Sequence, residues 1–370
     1  MQRILKGIEC LGEVFKGSAK VLLVCDSSFP FLTIKNDIER MKVPYVVFDQ
    51  FTPNPLYEDV CKGVDLFNSA QCDTILAVGG GSSLDVAKCI KLYCKMDKDR
   101  LYLEQEYKDT SVKLVAIPTT AGTGSESTRY AVIYYDGKKQ SVTHDSIIPD
   151  VAILEPKVLK SLPLYQKKCT MMDALCQGIE SWWSVNSTDE SKKLSREAVV
   201  TIMHWWHEYI FENTDVSADA IMHAANLAGQ AICITQTTAP HAFSYKITSL
   251  YKLPHGHAVA ICLPEIWSYM LGHINSCVDD RGRKYVEEVF DDIALSMGAN
   301  SAEKAIEIVR DMMSEMELGA PVFDNDAATE IETLCKSVNP IRLKNNPILL
   351  DHDAICLLYN MVFRRVTMKQ

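Results

Sequence analysis

The chain is predicted to join an amino-terminal α/β domain, built on a parallel sheet, to a carboxyl-terminal domain made only of helices. Three observations predict it. Up to residue 160, short apolar runs ending in turn residues alternate with helix-spaced segments. From residue 161, apolar residues recur every three or four positions almost to the end, and strand signals all but vanish. One early apolar run passes straight into three glycines and then a helix. Alternating strand and helix patterns point to a parallel sheet, and an unbroken helical period to helix-on-helix packing. The expected domains are 1–160 and 161–370, in keeping with a chain of 370 residues that exceeds what one hydrophobic core usually covers.

The first strand signal is AKVLLVCDSS (19–28), a short buried-strand pattern with Asp26 at its carboxyl end. An acid there either hydrogen-bonds the ribose of a dinucleotide or caps the next turn. VPYVVFD (43–49) is a second strand, FTPNP a turn, and Leu56 to Asn68 a helix. In CDTILAVGGGSSLDVAK, Thr74 to Val78 reads as a strand, Gly79, Gly80 and Gly81 as a turn, and Ser83 onward as a helix. That order brings bare backbone N–H groups and a helix N-terminus to a phosphate; the alternative is a glycine turn with no ligand. Asp85, in the first helical turn, can cap it or reach a ligand.

VKLVAIP (112–118) is a further strand. It leads into TTAGTGSEST (119–128), a run of hydroxyls and glycines too polar for a core and suited to lining a cofactor cleft. Arg129 follows, and YAVIYYDGKKQSVTH reads as a strand pair turning at Asp136-Gly137. After a last strand at Val151–Leu154, helices are expected at 165–184, 190–212, 217–240, 258–274, 279–297, 301–317 and 326–337. Trp182, Trp183, Trp205 and Trp206 fall on these helix patterns and are expected to pack.

Composition narrows the function. A net charge of −10 argues against nucleic acid as a partner. No apolar run approaches the ~20 residues of a membrane helix. The start, MQRILKGIECLGEVF, lacks an export signal. Thirteen cysteines with no CxxC pair, many within apolar runs, suit the reducing cytoplasm.

The chemistry is expected in two stretches of the helical part. In MMDALCQGIESWW (171–183), Asp173 and Gln177 stand four apart and project from one helix face. In TTAPHAFSYKITSLYKLPHGHA (237–258), His241 and His255 stand fourteen apart, with Tyr245 one turn after the first. One carboxylate, two imidazoles and an amide oxygen make a candidate divalent-metal site; satisfied core or surface histidines are the alternative. Cys176 leaves the helix on a different face from Asp173.

GGGSSLDVAK, IPTTAGTGSE, IIPDVAILEP, the MDALCQGIES helix and LPHGHAVA, in this order, resemble the iron-containing (group III) alcohol dehydrogenase family over nearly the whole chain. The resemblance implies a dehydroquinate synthase-like fold, with a dinucleotide-binding α/β domain, a helical domain and a cleft between them. It also implies interconversion of alcohols and aldehydes with NAD(H) or NADP(H) and a divalent metal. By position it places a pyrophosphate at Gly80, Gly81 and Ser82, the nicotinamide near Thr119, Thr120 and Thr123, and its ribose near Lys139. Asp26 takes the place associated with NAD(H) over NADP(H). The implied metal ligands are Asp173, Gln177, His241 and His255, with Fe2+ expected and Zn2+ the alternative.

Two departures stand out. Gln177 replaces a common histidine ligand, and Tyr245 replaces a histidine credited with proton relay. Lys246, where proline is frequent, joins Arg129, Lys252 and Arg342 as positive charge that a plain alcohol does not require. These spellings resemble the phosphonoacetaldehyde reductase branch, which makes 2-hydroxyethylphosphonate. The expected roles are an anion grip for Arg129 and Lys246 and proton delivery for Tyr245, with His257 a weaker candidate. The expected partner is a small aldehyde or alcohol bearing a phosphonate. Homodimers are common in the family, although no residue read here specifies an interface. Two rivals stay open, a general short-chain alcohol dehydrogenase for uncharged substrates and a synthase or lyase on the same scaffold.

Overall fold

The computed structural model describes residues 2–323 and 326–364. Its strands are β1 (Arg3–Lys6), β2 (Val21–Cys25), β3 (Tyr45–Phe48), β4 (Thr74–Gly79), β5 (Lys113–Pro118), β6 (Tyr130–Tyr135), β7 (Lys138–Thr143) and β8 (Val151–Leu154). The α-helices among the described residues are α1 (Leu11–Val14), α2 (Lys35–Glu39), α3 (Tyr57–Ser69), α4 (Gly81–Tyr93), α5 (Leu164–Trp183), α6 (Asp189–His207) and α7 (Asp215–Thr235). They continue with α8 (Ala239–Tyr251), α9 (His255–Gly272), α10 (Arg283–Ser296), α11 (Ala302–Glu315), α12 (Ala327–Ser337), α13 (Pro340–Leu343) and α14 (His352–Arg364).

The chain divides into two compact units. One is Met1–Pro163 with Glu212–Gly229; the other is Leu164–Phe211 with Gln230–Gln370. In the first, six strands form one parallel sheet in the order β1-β8-β5-β4-β2-β3. β2, β4 and β8 are buried along their whole length, which is why they read as continuous apolar runs. From β2 the chain goes to β3 on one side and to β4 on the other. The carboxyl ends of β2 and β4 therefore form a topological switch point, the crevice where open α/β sheets bind ligands. β6 and β7 make a separate antiparallel hairpin, turned by Asp136 and Gly137, both at positive φ.

A single break after residue 160 does not describe these units, because Glu212–Gly229 returns to the first. The reason is a close backbone approach. A Cβ on Gly229 would lie 2.7 Å from Gly124 Cα, and Asn226 Nδ2 donates to Glu126 Oε1 at 3.0 Å and Ser127 Oγ at 2.7 Å. The unit boundary thus falls inside α7.

In the second unit α5 packs on α6 and α9, and α8 packs on α9. Trp183 and Trp267 meet edge-to-face at 5.5 Å, and Phe290 closes on Trp183 at 5.9 Å. Trp183 and Trp182 are buried, and Trp205 and Trp206 are half-buried. The helix expectations need correction at three places. α14 lies beyond the last expected helix, 326–337. The helix expected over 217–240 stops at Thr235, because Gln236 takes positive φ. The residues that follow begin a new helix, α8, absent from the expected set.

Candidate active site

The glycine turn sits at the switch point. Gly79 has φ 153°, and a Cβ there would fall 2.6 Å from Ser83 Cβ and 3.0 Å from Asp26 Oδ2, so the position demands glycine. α4 starts at Gly81, two residues earlier than expected, and its N-cap Gly80 supplies no side-chain hydrogen bond. The first backbone N–H groups of this helix have no acceptor within it, as at any helix N-terminus. Thr119 N–H donates to Gly79 O at 3.0 Å. A Cβ on Gly80 would touch Thr120 at 3.5 Å, and one on Gly81 would touch Thr123 at 3.1 Å. The glycine turn and the start of α4 thus pack closely against Thr119, Thr120 and Thr123.

Asp26 borders the glycine turn at Gly79 and also caps. Its Oδ2 accepts from Ser83 Oγ at 3.0 Å, and its Oδ1 from Ser28 N–H at 2.8 Å. Asp85 turns to its own unit: it accepts from Ser125 Oγ at 2.7 Å and from Val132 N–H at 2.9 Å. Burial pushes the Asp85 carboxyl up, against the charges of Lys88 and Lys139. Fully buried Lys88 donates to Ser125 Oγ at 2.9 Å, Thr128 Oγ1 at 3.1 Å and Tyr130 O at 2.8 Å. An unpaired buried ammonium would cost several kcal/mol, so these acceptors fasten the 119–128 run to α4. The Arg129 guanidinium is paired with Asp145 at 2.7 Å.

In the second unit, Asp173, His241 and His255 offer ligand atoms that all lie within 4.8 Å of one another. Asp173 rises from the middle of α5, His241 from the first turn of α8, and His255 opens α9. Gly256 permits the approach: a Cβ there would run into the Cys169 carbonyl and lie 2.8 Å from Asp173 Cβ. His241 Nε2 is 3.2 Å from Asp173 Oδ1, and its Nδ1 is 2.5 Å from Glu180 Oε1. Burial lowers the His241 pKa, but Glu180's charge and the Asp173 hydrogen bond raise it to about 9. Burial pushes the Asp173 carboxyl up, yet the His241 bond and the His255 charge hold it below its ordinary value.

The fourth expected ligand lies at the same place. Gln177 hydrogen-bonds Asp173, while its Oε1 is buried and, among the described residues, has no hydrogen-bond partner. A buried acceptor without a donor costs about 1–3 kcal/mol. A carboxylate, two imidazoles and that oxygen fit a divalent cation.

Tyr245 stacks on His255, with centroids 5.9 Å apart and planes 7° from parallel. Burial pushes its phenol up; the Arg342 charge and a Thr237 hydrogen bond oppose this. His257, the weaker candidate for proton delivery, bonds Tyr165 OH at 2.8 Å through Nδ1 and Gly319 O at 2.9 Å through Nε2. The fully buried Cys176 thiol is pushed well up by burial.

Glu180 was not singled out by sequence, although it is one turn beyond Gln177 and two beyond Asp173 on the same face of α5. It is fully buried, and that seven-residue spacing was the available signal.

Comparison with known proteins decides the family. The model of iron-containing alcohol dehydrogenases matches residues 4–156, and that of the Fe-containing alcohol dehydrogenase family, C-terminal, matches 168–363. The chain belongs to the iron-containing alcohol dehydrogenase family. A phosphonoacetaldehyde reductase of Streptomyces viridochromogenes is 31% identical over 300 residues, 77% of this chain and 75% of that protein. The probable alcohol dehydrogenase EutG of Escherichia coli is 30% identical over 305 residues, covering 77% and 73%. Among solved structures, sulfoacetaldehyde reductase from Bifidobacterium kashiwanohense in complex with NAD+ superposes with a TM-score of 0.87 at 23% identity, covering 98% and 96%. As a member of this family the protein is an oxidoreductase acting on alcohols and aldehydes. Among the described residues no helix is long and apolar enough to cross a membrane.

Proposed function

We propose that the enzyme reduces phosphonoacetaldehyde to 2-hydroxyethylphosphonate, using NADH and a divalent metal, Fe2+ before Zn2+, held by Asp173, His241 and His255 with Gln177 alongside. The supporting observation is the charge beside Tyr245. Lys246 follows it on α8 and, among the described residues, makes no ion pair; Arg342, on α13 packed against α8, acts on the Tyr245 phenol and makes none either. A dianionic phosphonate calls for an arginine fork and a lysine point charge, whereas an uncharged aldehyde uses neither. The 31% identity to a phosphonoacetaldehyde reductase points the same way. Arg129 belongs to the proposal with its guanidinium already paired to Asp145, so the grip rests first on Lys246 and Arg342.

When bound, the metal polarises a carbonyl oxygen and the nicotinamide carries the hydride. Within this scheme Lys246 and Arg342 hold the phosphonate and so orient the carbonyl, a gain in positioning. Tyr245, against His255, is the proton donor to the oxygen as the aldehyde becomes an alcohol. Gly80, Gly81 and Ser82 cradle the pyrophosphate, Thr119, Thr120, Thr123 and Lys139 face the nicotinamide side, and Asp26 receives the ribose hydroxyls. Free thiols throughout, with Cys25, Cys89 and Cys262 buried, suit a cytoplasmic setting.

The test is Lys246→Ala, assayed with phosphonoacetaldehyde and with propanal. The proposal expects kcat/KM to fall about 30-fold or more for the charged substrate, the worth of a lost charge-assisted bond, and little for propanal. Equal losses would remove the anion grip and favour a general alcohol dehydrogenase.

A further inference from the structure

Helix α8 begins with an unusual vacancy in its own capping. Its N-cap Thr238 makes no side-chain hydrogen bond to the helix, and Pro240 in the first turn has no N–H to offer. The remaining N-terminal donors need an acceptor. Two of them find it on another helix. Glu180 Oε2, from α5, accepts from Thr238 N–H at 2.7 Å and Thr238 Oγ1 at 3.0 Å, with His241 N–H at 3.5 Å. Trp183 Nε1 donates to Thr238 Oγ1 at 2.8 Å, so the hydroxyl that points its proton at Glu180 is itself fixed. The other carboxylate oxygen, Oε1, meets His241 Nδ1 at 2.5 Å.

One fully buried carboxylate thus performs two tasks. Its negative charge sits at the positive end of the α8 dipole, a favourable placement. It also takes the Nδ1 proton of the residue one turn into that helix, which turns Nε2 toward Asp173 at 3.2 Å. Backbone and ring of His241 are therefore set by the same group, so neither the helix nor the imidazole can rotate without breaking the other's bond.

We propose that Glu180 is the positioning residue of this metal centre, capping α8 from α5 and fixing the tautomer and orientation of His241. The inference rests on the metal site proposed above. Carboxylates behind histidine ligands raise ligand basicity and lock the ring, and removing such a partner weakens metal binding about 10–100-fold.

The experiment titrates metal-stripped full-length protein with Co2+, following the visible absorption of the bound ion and its dissociation constant. Glu180→Gln keeps the acceptor oxygen and the volume and removes the charge. The expected result is a Kd raised about 10–100-fold with an altered band shape, in protein whose circular dichroism shows it folded. A merely structural Glu180 would lower the melting temperature and leave the Kd and spectrum alone, and a Kd within about threefold of wild type in folded protein overturns the inference. Should Glu180→Gln not fold, Thr238→Val decides, since it removes one of the bonds on Oε2. A raised Kd supports the role, and an unchanged one refutes it. Asp173→Asn in parallel separates the two claims: if it binds Co2+ like wild type, the metal site itself fails, whatever Glu180 does.

Discussion

Tyr245 lies parallel to the ring of His255, 5.9 Å between centroids and 7° between planes. One residue is a candidate metal ligand and the other a candidate proton donor, and stacking fixes the phenol against the ligand. Tyr245→Phe preserves the stack and deletes only the hydroxyl. Loss of a general acid typically removes 10²–10⁴-fold of rate. We expect kcat to fall by about 100-fold or more with bound metal unchanged. Steady-state kinetics beside metal analysis checks this; an unaltered kcat would pass the proton to another group.

Gly256 is the residue on which α5 and α9 close. Gly256→Ala should place a methyl against the Cys169 carbonyl and Asp173 Cβ. Overpacking of this kind costs about 1–3 kcal/mol. The melting temperature and the metal affinity should fall together, because the same displacement carries His255 away from Asp173. Thermal unfolding and Co2+ titration read both, and a fall in one alone would show that Gly256 does not couple packing to the site.

His257 gives a pH dependence. Burial holds its imidazole below the ordinary value, partly offset by the bond to Gly319. The unfolded chain, with a histidine pKa of about 6.5, therefore takes up the proton first. The contribution to stability is whole above that pH and is lost as pH falls toward the folded-state value. Wild-type stability should drop more steeply than that of His257→Gln from about pH 7 to about pH 5. His241, raised to about 9, has the opposite sign, its contribution lost as pH rises through that value; it is present in both proteins and cancels in their difference. Parallel denaturation curves would leave His257 without this role.

Where a signal is local, the sequence carried it. The strand, glycine turn and helix from Thr74 onward stand within a residue or two of expectation, because a buried parallel strand and a φ of 153° leave little latitude. Asp173 and Gln177 share a face of α5 because their spacing is helical. What escaped depends on distant parts of the chain. β1 is a four-residue edge strand, mostly exposed, with too little apolar pattern to register. α8 was hidden because the apolar period runs through the break at Gln236. Glu180 has the right spacing, yet nothing local says that its carboxylate serves another helix. The return of Glu212–Gly229 to the first unit depends on two glycines more than a hundred positions apart, a pairing no window contains.

The most direct test of the account is metal stoichiometry in wild type, Asp173→Ala and His255→Ala, each stripped, reconstituted with Fe2+ or Co2+ and analysed for bound ion and for aldehyde reduction. Wild type should hold about one ion per chain, and each folded variant should lose both the ion and the activity. Folded variants that keep the ion, or stripped wild type that still turns over, would contradict it.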